Sequence, residues 1–378
     1  MTAAPTLQIQ AGEHDRHECP VWLPRPPGCP DAPLWLVAEG GSARIPAQRI
    51  DDRLLFILDH LERGKAREFR IESGAPHDEV VRLTERQGAV DLTIDGAPFT
   101  TYRFGDDEAR PFFFPLHGPT GVKMTRAFPM EKDVPNESTD HPHHRSLYVA
   151  FGEVNGVDVW AEPPNPNTGR IVHHDWESIV AGPAAADLRE RLRWVDGAGN
   201  GLLEERRHLT IYGTTTARLL DLEIVLTPSR VAVLFGDTKE GGPLALRINS
   251  TIEGKRGGLI QNADGGRREA ETWGKRSPWV DYSGMVDGAT VGVAILDHPT
   301  SFRHPTYWHV RDYGLFAANP FGISAFTNDP TRRGDVVLTP GQTLTFRYRV
   351  CLHQGDAEVS RIGDRYHDFA HPPRASWE

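Results

Sequence analysis

Short apolar runs punctuated by Gly, Pro and charged residues recur along most of this chain. From Leu34 to about Ile71 the runs LWLVAE, LLFILDHL and REFRI predict strands of a small amino-terminal sheet, although LLFILDHL alone also fits a helical turn or two. Asp95-Gly96, between Ala89–Ile94 and Thr100–Phe104, predicts a hairpin, and Asn155-Gly156, between Val149–Val154 and Val157–Trp160, a tighter one. Period-two alternation follows in LLDLEIVL from Leu219, LALRINSTI from Leu244 and TFRYRVCLH from Thr345. In the last, Phe346, Tyr348, Val350 and Leu352 share one face and Arg347, Arg349 and His353 the other. Helical spacing occurs once, in Val359, Ile362, Tyr366 and Phe369, and predicts a carboxy-terminal helix from Asp356 to about Phe369, packed outside a sheet.

Many short strands without interleaved helices predict an all-β protein, a large antiparallel β-sandwich with a small amino-terminal sheet and one carboxy-terminal helix. Residues 1–33, rich in Pro and Gly, read as an irregular lead-in; residues 34–78 as the amino-terminal β region, ending at the polar stretch SGAPHD; and residues 79–378 as the sandwich domain.

Composition narrows the function classes. A net charge of −10 over 378 residues excludes the basic stripe of a nucleic-acid binder. No apolar run approaches a membrane span or a signal-peptide core, so a soluble, cytoplasmic protein is expected, with no membrane partner. Cys19, Cys29 and Cys351 are too few for a disulfide framework and read as free thiols, a Cys19–Cys29 pair being the alternative. Walker, GxGxxG, GxSxG and HExxH motifs are missing.

What remains is a concentration of imidazoles at Asp140–Arg145, DHPHHR, just ahead of the apolar run LYVAFGEV. Histidine serves as acid, base or metal ligand near neutrality, and a loop entering a strand can aim it. Pro142 biases His141 toward extended geometry, so His141 and His143 are expected on one side and His144 on the other. Four further loops are rich in polar and aromatic residues: RPFFFPLHGPTGVKMTR, with His117, Lys123 and Arg126; DTKEGG, with Lys239 and Glu240; TWGKRSPWVDYSG, with Trp273, Lys275, Arg276, Trp279, Asp281 and Tyr282; and DHPTSFRHPTYWHVRDYGLFAANPFG, with His304, Tyr307, His309, Arg311, Tyr313 and Asn319. Aromatic faces beside charged donors suit a sugar, whose ring has apolar CH faces and a polar rim. In an extended segment Tyr307, His309 and Arg311 face one way and Trp308 and Val310 the other.

These motifs, RPFFFPLHGPTG, DHPHHRSLYVAFGEVNGVDVW, DTKEGG, WGKRSPWVDYSG and HPTYWHVRDYGLFAANPFG, in this order from about Arg110 to His353, resemble the PmoA-like family of uncharacterised bacterial proteins. One departure is Ser146, where the family usually has Gly, a matter of local backbone geometry. Members are often labelled methane oxygenase, yet particulate methane oxygenases are membrane copper enzymes and no segment here is long enough to span a bilayer. The resemblance implies a supersandwich similar to galactose mutarotase, often encoded near sugar oxidoreductases and isomerases.

The leading expectation is a carbohydrate-active enzyme (lyase, epimerase or hydrolase) acting on a sugar, glycoside or keto-sugar by general acid/base chemistry. His143 or His144 would protonate an oxygen, Glu240 or His309 would take a proton, and Arg145 and Lys239 would hold oxygens. His117, Trp273, Lys275, Trp279, Asp281, Tyr282, His304, Tyr307, Arg311 and Asn319 would bind the carbohydrate. One alternative is a sugar-binding protein without turnover. Another is a metal enzyme with His141 and His143 as candidate ligands to a divalent ion, an oxygenase being its extreme form. No other cofactor is expected, and a homo-oligomer is allowed.

Overall fold

The alternating runs assemble into three large antiparallel sheets and a two-stranded one, Val233–Phe235 with Val336–Leu338, in a computed structural model that describes residues 5–38, 40, 44–165 and 167–378. A first eight-stranded sheet runs, in spatial order, Trp308–Val310, Leu315–Ala318, Gly241–Arg247, Leu147–Phe151, Phe112–Leu116, Ala97–Arg103, Ala89–Ile94 and Val81–Arg86. A second runs Arg170–Val180, Ala185–Val195, Gly201–Tyr212, Ala217–Pro228, Leu344–Gln354, Ala289–Asp297, Trp279–Val286 and Leu259–Asn262. Phe113, Leu147, Val149, Leu246 and Phe316 from the first pack on Leu188, Ile211, Leu222, Val293 and Val350 from the second in one continuous core. The protein is therefore an all-β sandwich, as the periodicity requires.

A seven-stranded amino-terminal sheet has its own core, built on Leu7, Ile9, Val21, Leu36, Phe56 and Phe69. LLFILDHL lies in its strand Arg53–Leu61. The expected irregular lead-in is corrected here: Thr6–Gln10 and Arg16–Pro24 are strands, because Leu7, Ile9, Val21 and Leu23 supply the alternating buried positions despite the nearby prolines. Arg374–Trp377, from the far end of the sequence, pairs with Thr6–Gln10, so this sheet is not confined to the region 34–78.

The helix begins at Ile362 rather than Asp356. The Asp356 carboxylate accepts from the backbone N–H groups of Glu358 and Val359, at 3.1 and 2.9 Å, and Arg361 takes a positive φ of 54°, so a turn replaces the first helical residues. Ile362 and Tyr366 wedge between Ile50 and Leu55 of the amino-terminal sheet and Leu219, Ala294 and Cys351 of the second large sheet. Consequently Arg349 and His353, on the face opposite Phe346 and Tyr348, are buried and paired with Asp221 and Asp281. Two short helices, Arg268–Thr272 and Ile323–Thr327, are additional. Asp95-Gly96 turns its hairpin as expected, whereas at Asn155-Gly156 only Val154 and Val157 pair. The cysteines are free. No helix among the described residues is long and apolar enough to cross a membrane.

Candidate functional site

The first large sheet buries one face in the sandwich and turns the other outward. On the outward face a cross-strand row runs Phe112, Tyr148, Ala245, Ala317, His309, each residue paired with the next. Ala245 and Ala317, with Ala150 beside them, have only methyl groups where their neighbours carry rings. The face is therefore a trough with a floor of alanines, Tyr148 on one wall and His309 on the other, all of them buried by the side chains around them. At about 4.8 Å per strand the two walls stand roughly 14 Å apart between backbones.

The imidazoles form the Tyr148 wall, but not as an extended segment. His144 N–H donates to the His141 carbonyl at 3.0 Å with Pro142 inside the turn, and His141 takes a positive φ of 44°. This corrects the expected alternation and brings all three rings together: His141 stacks on His144 at 4.8 Å and on Tyr313 at 5.0 Å, and His143 stands edge-on to His144 at 4.5 Å. Trp160 closes over His143 and His144, at 6.0 and 5.2 Å.

Arginines fix this turn from beneath. Arg126, fully buried, donates to the carbonyls of Asp140 (2.6 Å), His141 (2.8 Å) and His144 (3.2 Å) and to the Asp140 carboxylate (3.0 Å). Arg110 donates to the His143 carbonyl at 3.3 Å. Arg247 spans Asp140 at 2.7 Å, the buried Glu253 at 3.2 Å and His144 Nδ1 at 3.3 Å, and lies 5.0 Å over the Tyr313 ring. A guanidinium can only donate, so His144 Nδ1 accepts and its ring proton sits on Nε2. Burial opposes ionisation of Asp140, yet the hydrogen bond and charge of Arg247, with His141 and Arg126, bring it down to about 2. Burial, then the neighbouring charges of Arg110 and His141, lower His143 to about 4. Burial, followed by His143 and Arg247, drives His144 well below the usual histidine range. Both rings are neutral at pH 7. His143 is the less buried, and no hydrogen bond to its ring nitrogens occurs among the described residues.

The facing wall comes from DTKEGG and the segment after Pro305. Asn319 is buried and donates to the carbonyls of Thr238 and Lys239, at 3.0 and 3.2 Å, which pins the loop. The Lys239 carbonyl accepts from His309 Nδ1 at 2.7 Å, leaving His309 Nε2 with its lone pair. Gly152 lets Glu240 approach, since a Cβ there would lie 2.4 Å from the Glu240 carbonyl oxygen. Glu240 pairs with Lys239. Burial would raise its carboxyl, but the Lys239 hydrogen bond and charge, with His309 and His143, hold it below the ordinary value. Burial lowers His309 to about 4, partly offset by the Lys239 carbonyl and the Glu240 charge. Trp273 stands edge-on to His309 at 6.3 Å, and Arg311, paired with Glu269 at 2.9 Å, lies over Trp273 and Tyr313.

The structure thus gathers His141, His143, His144, Lys239, Glu240, Trp273, His309 and Arg311 about one trough, with Asn319 behind it and Tyr307 at its rim, stacked on Phe326. As expected, Trp308 and Val310 face the core. The other sequence candidates lie elsewhere. His117 lines a separate cavity of about 480 Å³ with Lys123 and Glu131. Arg145 is held by Glu162 and Glu108, at 2.7 and 3.0 Å. Trp279 and Asp281 belong to the second sheet, and Tyr282 is buried, its hydroxyl accepting from Gly254 N–H at 2.6 Å. His304 pairs with Asp297 at 2.9 Å, and the exposed Lys275 makes no side-chain contact described for it. Among the described residues, no group of three or more His, Cys, Asp or Glu side chains is arranged to hold a metal ion.

Asp140, Arg110, Arg247, Glu253 and Trp160 were not singled out as site residues by sequence. For Arg247 a signal exists: it is the one charge in GGPLALRI, on the face opposite Leu244 and Leu246.

Fold and trough together define an antiparallel β-sandwich protein with a histidine-rich site on the outer face of one sheet. The chain belongs to DUF6807, a family of unknown function, the match covering residues 89–367 and all five motifs. That family carries no PmoA designation. No curated protein matches the chain. Among solved structures it is similar to a glycosyl hydrolase family 38 protein from Enterococcus faecalis (10% identity, TM-score 0.42, covering 100% of this chain and 48% of that one). It is also similar to an alpha-mannosidase from Enterococcus faecalis V583 (11%, 0.41, 99% and 46%). A third is a galactose mutarotase related enzyme from Lactobacillus acidophilus (10%, 0.28, 72% and 97%). The chain spans about half the length of the first two. Likeness at this level concerns architecture and carries no argument about activity.

Proposed function

We propose that the trough is the active site of an intracellular carbohydrate-active enzyme, a sugar lying over the alanine floor between Trp273 and Trp160 and reacting by general acid/base catalysis. The supporting observation is the opposition of an ionised Glu240 to neutral His143 and His309 around one alanine floor. At neutral pH Glu240 and His309 are both unprotonated acceptors, while the N–H of a neutral imidazole can still polarise an oxygen. Glu240, or His309 through the lone pair on Nε2, takes a proton from the sugar; the Glu240 charge favours the imidazolium that forms on His309. The N–H of the neutral His143 ring hydrogen-bonds the ring or leaving oxygen and polarises it, and Lys239 and Arg311 hold oxygens, Arg145 being occupied by two carboxylates. Lyase, epimerase and hydrolase reactions each begin with such a transfer.

The test is proton NMR of the purified chain with a panel of simple glycosides, free sugars and 3-keto sugars. New sugar signals, lost in Glu240→Gln and His309→Asn, are expected. Line broadening without product would make the trough a binding site only, and signals that persist in both variants would remove these residues from the chemistry.

A further inference from the structure

A second constellation lies outside the trough, where the carboxy-terminal helix meets the second large sheet. Ser360 Oγ is 2.7 Å from His353 Nδ1, and His353 Nε2 is 2.8 Å from Asp281 Oδ1. The chain of contacts runs from a cavity inward. Ser360 and His353 line a space of about 670 Å³ with Thr216, Thr290, Val359 and Arg365, and Asp281 lies behind them with no exposure. This volume is in the range of small-molecule sites.

Three elements build the arrangement. His353 is the penultimate residue of the strand Leu344–Gln354, Asp281 sits in Trp279–Val286, and Gly292 on the strand between leaves room for the imidazole, since a Cβ there would be 2.4 Å from His353 Cε1. Ser360 occupies the turn just before the helix, where Arg361 adopts φ 54°. Asp281 Oδ2 is buried without a hydrogen-bond partner. A buried carboxylate oxygen without a partner costs stability, and a whole buried ion pair can often be exchanged for apolar groups without loss, so packing alone does not account for this arrangement.

The hydrogen-bond sense follows from the partners. Asp281 only accepts, so His353 Nε2 carries the hydrogen; the neutral ring then offers Nδ1 as acceptor to the Ser360 hydroxyl. The Gln354 carbonyl also touches Ser360 Oγ and is the alternative acceptor for that proton. Arg365 donates from Nε to the Ser360 carbonyl at 3.2 Å, while its buried Nη1 lacks a partner beside the cavity. An unpaired donor near a serine oxygen can receive the charge that develops on a carbonyl oxygen under attack.

We propose that Ser360, His353 and Asp281 form a nucleophilic acyl-transfer site that hydrolyses short-chain carboxylic esters. Ser360 Oγ bonds to the ester carbonyl carbon as its proton passes to His353 Nδ1, and the carbonyl π electrons move to the oxygen facing Arg365. Collapse breaks the carbon–alkoxy bond, and the departing alkoxide takes the proton from His353. Water repeats the sequence on the acyl-serine, releasing the carboxylic acid and restoring the Ser360 hydroxyl. Ester and water become acid and alcohol with no change of oxidation state. Recognition of serine, imidazole and carboxylate by geometry, independent of chain order, is how such sites recur on unrelated folds.

The experiment uses the full chain with a fluorophosphonate probe, followed by mass mapping of the labelled peptide, and p-nitrophenyl acetate and butyrate as substrates. Stoichiometric label on Ser360, and hydrolysis that falls by about 100-fold in Ser360→Ala, are expected. Val359→Trp changes only a cavity-lining residue that is 73% exposed, so the fold is kept; it should slow butyrate more than acetate. Failure of Ser360 to label in the folded native chain, label on another serine, or unchanged hydrolysis in Ser360→Ala would each overturn the assignment. The sugar assay reads a different site and is unaffected by any of these outcomes.

Discussion

Replacing Arg126 with Ala should release the histidine turn. Its guanidinium donates to the carbonyls of Phe128, Ser138, Asp140, His141 and His144 and to the Asp140 carboxylate, at 2.6 to 3.3 Å. A hydrogen bond from a charged donor contributes about 1.5–3 kcal/mol, but six such values cannot be summed. Asp140 and His141 are exposed, so water replaces part of what is lost. Removal of one partner from a buried ionic contact costs about 3–5 kcal/mol, and that range is adopted here. At about 1.4 kcal/mol per tenfold, the amides of residues 138–147, including the His144 N–H that closes the turn, should exchange hydrogen roughly 10² to 10³·⁵ times faster. Arg126→Lys keeps the charge but lacks the planar fork, and its exchange should be intermediate. Peptide-resolved hydrogen exchange at pH 7 measures this directly. Protection within about threefold of the native value in Arg126→Ala would refute the claim that this side chain holds the turn.

Acid should weaken the trough through His143 and His309, each at about 4 against an ordinary 6.5. Both folded values are depressed, so the unfolded chain binds more protons in this window; stability is intact above about pH 6.5 and declines as pH falls toward 4. Thermal melts across that range should show the decline, and a His143→Asn, His309→Asn double variant should flatten it. Ser146→Gly removes a residue at φ 56° but also the Ser146–Thr125 hydroxyl contact of 2.8 Å, so stability should move by less than about 1 kcal/mol, as read by denaturant midpoint. Gly152→Ala, whose methyl would meet the Glu240 carbonyl oxygen at 2.4 Å, should displace the loop that carries Glu240, cutting sugar turnover by at least about tenfold and lowering the melting temperature as well.

The sandwich was legible because strands such as Ala217–Pro228 and Leu344–Gln354 alternate and short apolar runs recur with few helical patterns, and the trough's two walls were legible because DHPHHR and HPTYWHVRDYG are dense in imidazole and aromatic groups. The floor was not. Ala150, Ala245 and Ala317 matter by what they lack, and an alanine in an apolar run carries no mark of the face it serves. The geometry of the histidine turn was missed because the restriction that proline places on its predecessor also admits a left-handed His141, stabilised by carbonyls pinned on Arg126. Trp279, Asp281 and Tyr282 share their segment with Trp273, but strand pairing sends them to the other sheet, a non-local fact. Alternation put His353 on the face opposite Phe346 but could not show that this face is covered, because the covering helix and amino-terminal sheet come from distant parts of the chain.

The clasp between Thr6–Gln10 and Arg374–Trp377 has a consequence for biosynthesis. Thr6–Gln10 can find Ala66–Ser73 soon after both leave the ribosome, but its other edge waits for residues 374–377. At about 5–20 residues per second that wait lasts roughly 20 to 70 s. For that interval the nascent chain presents an unpaired strand edge of the kind that templates association between chains. Translation speed and chaperone supply, more than final stability, would then govern how much of the chain escapes aggregation.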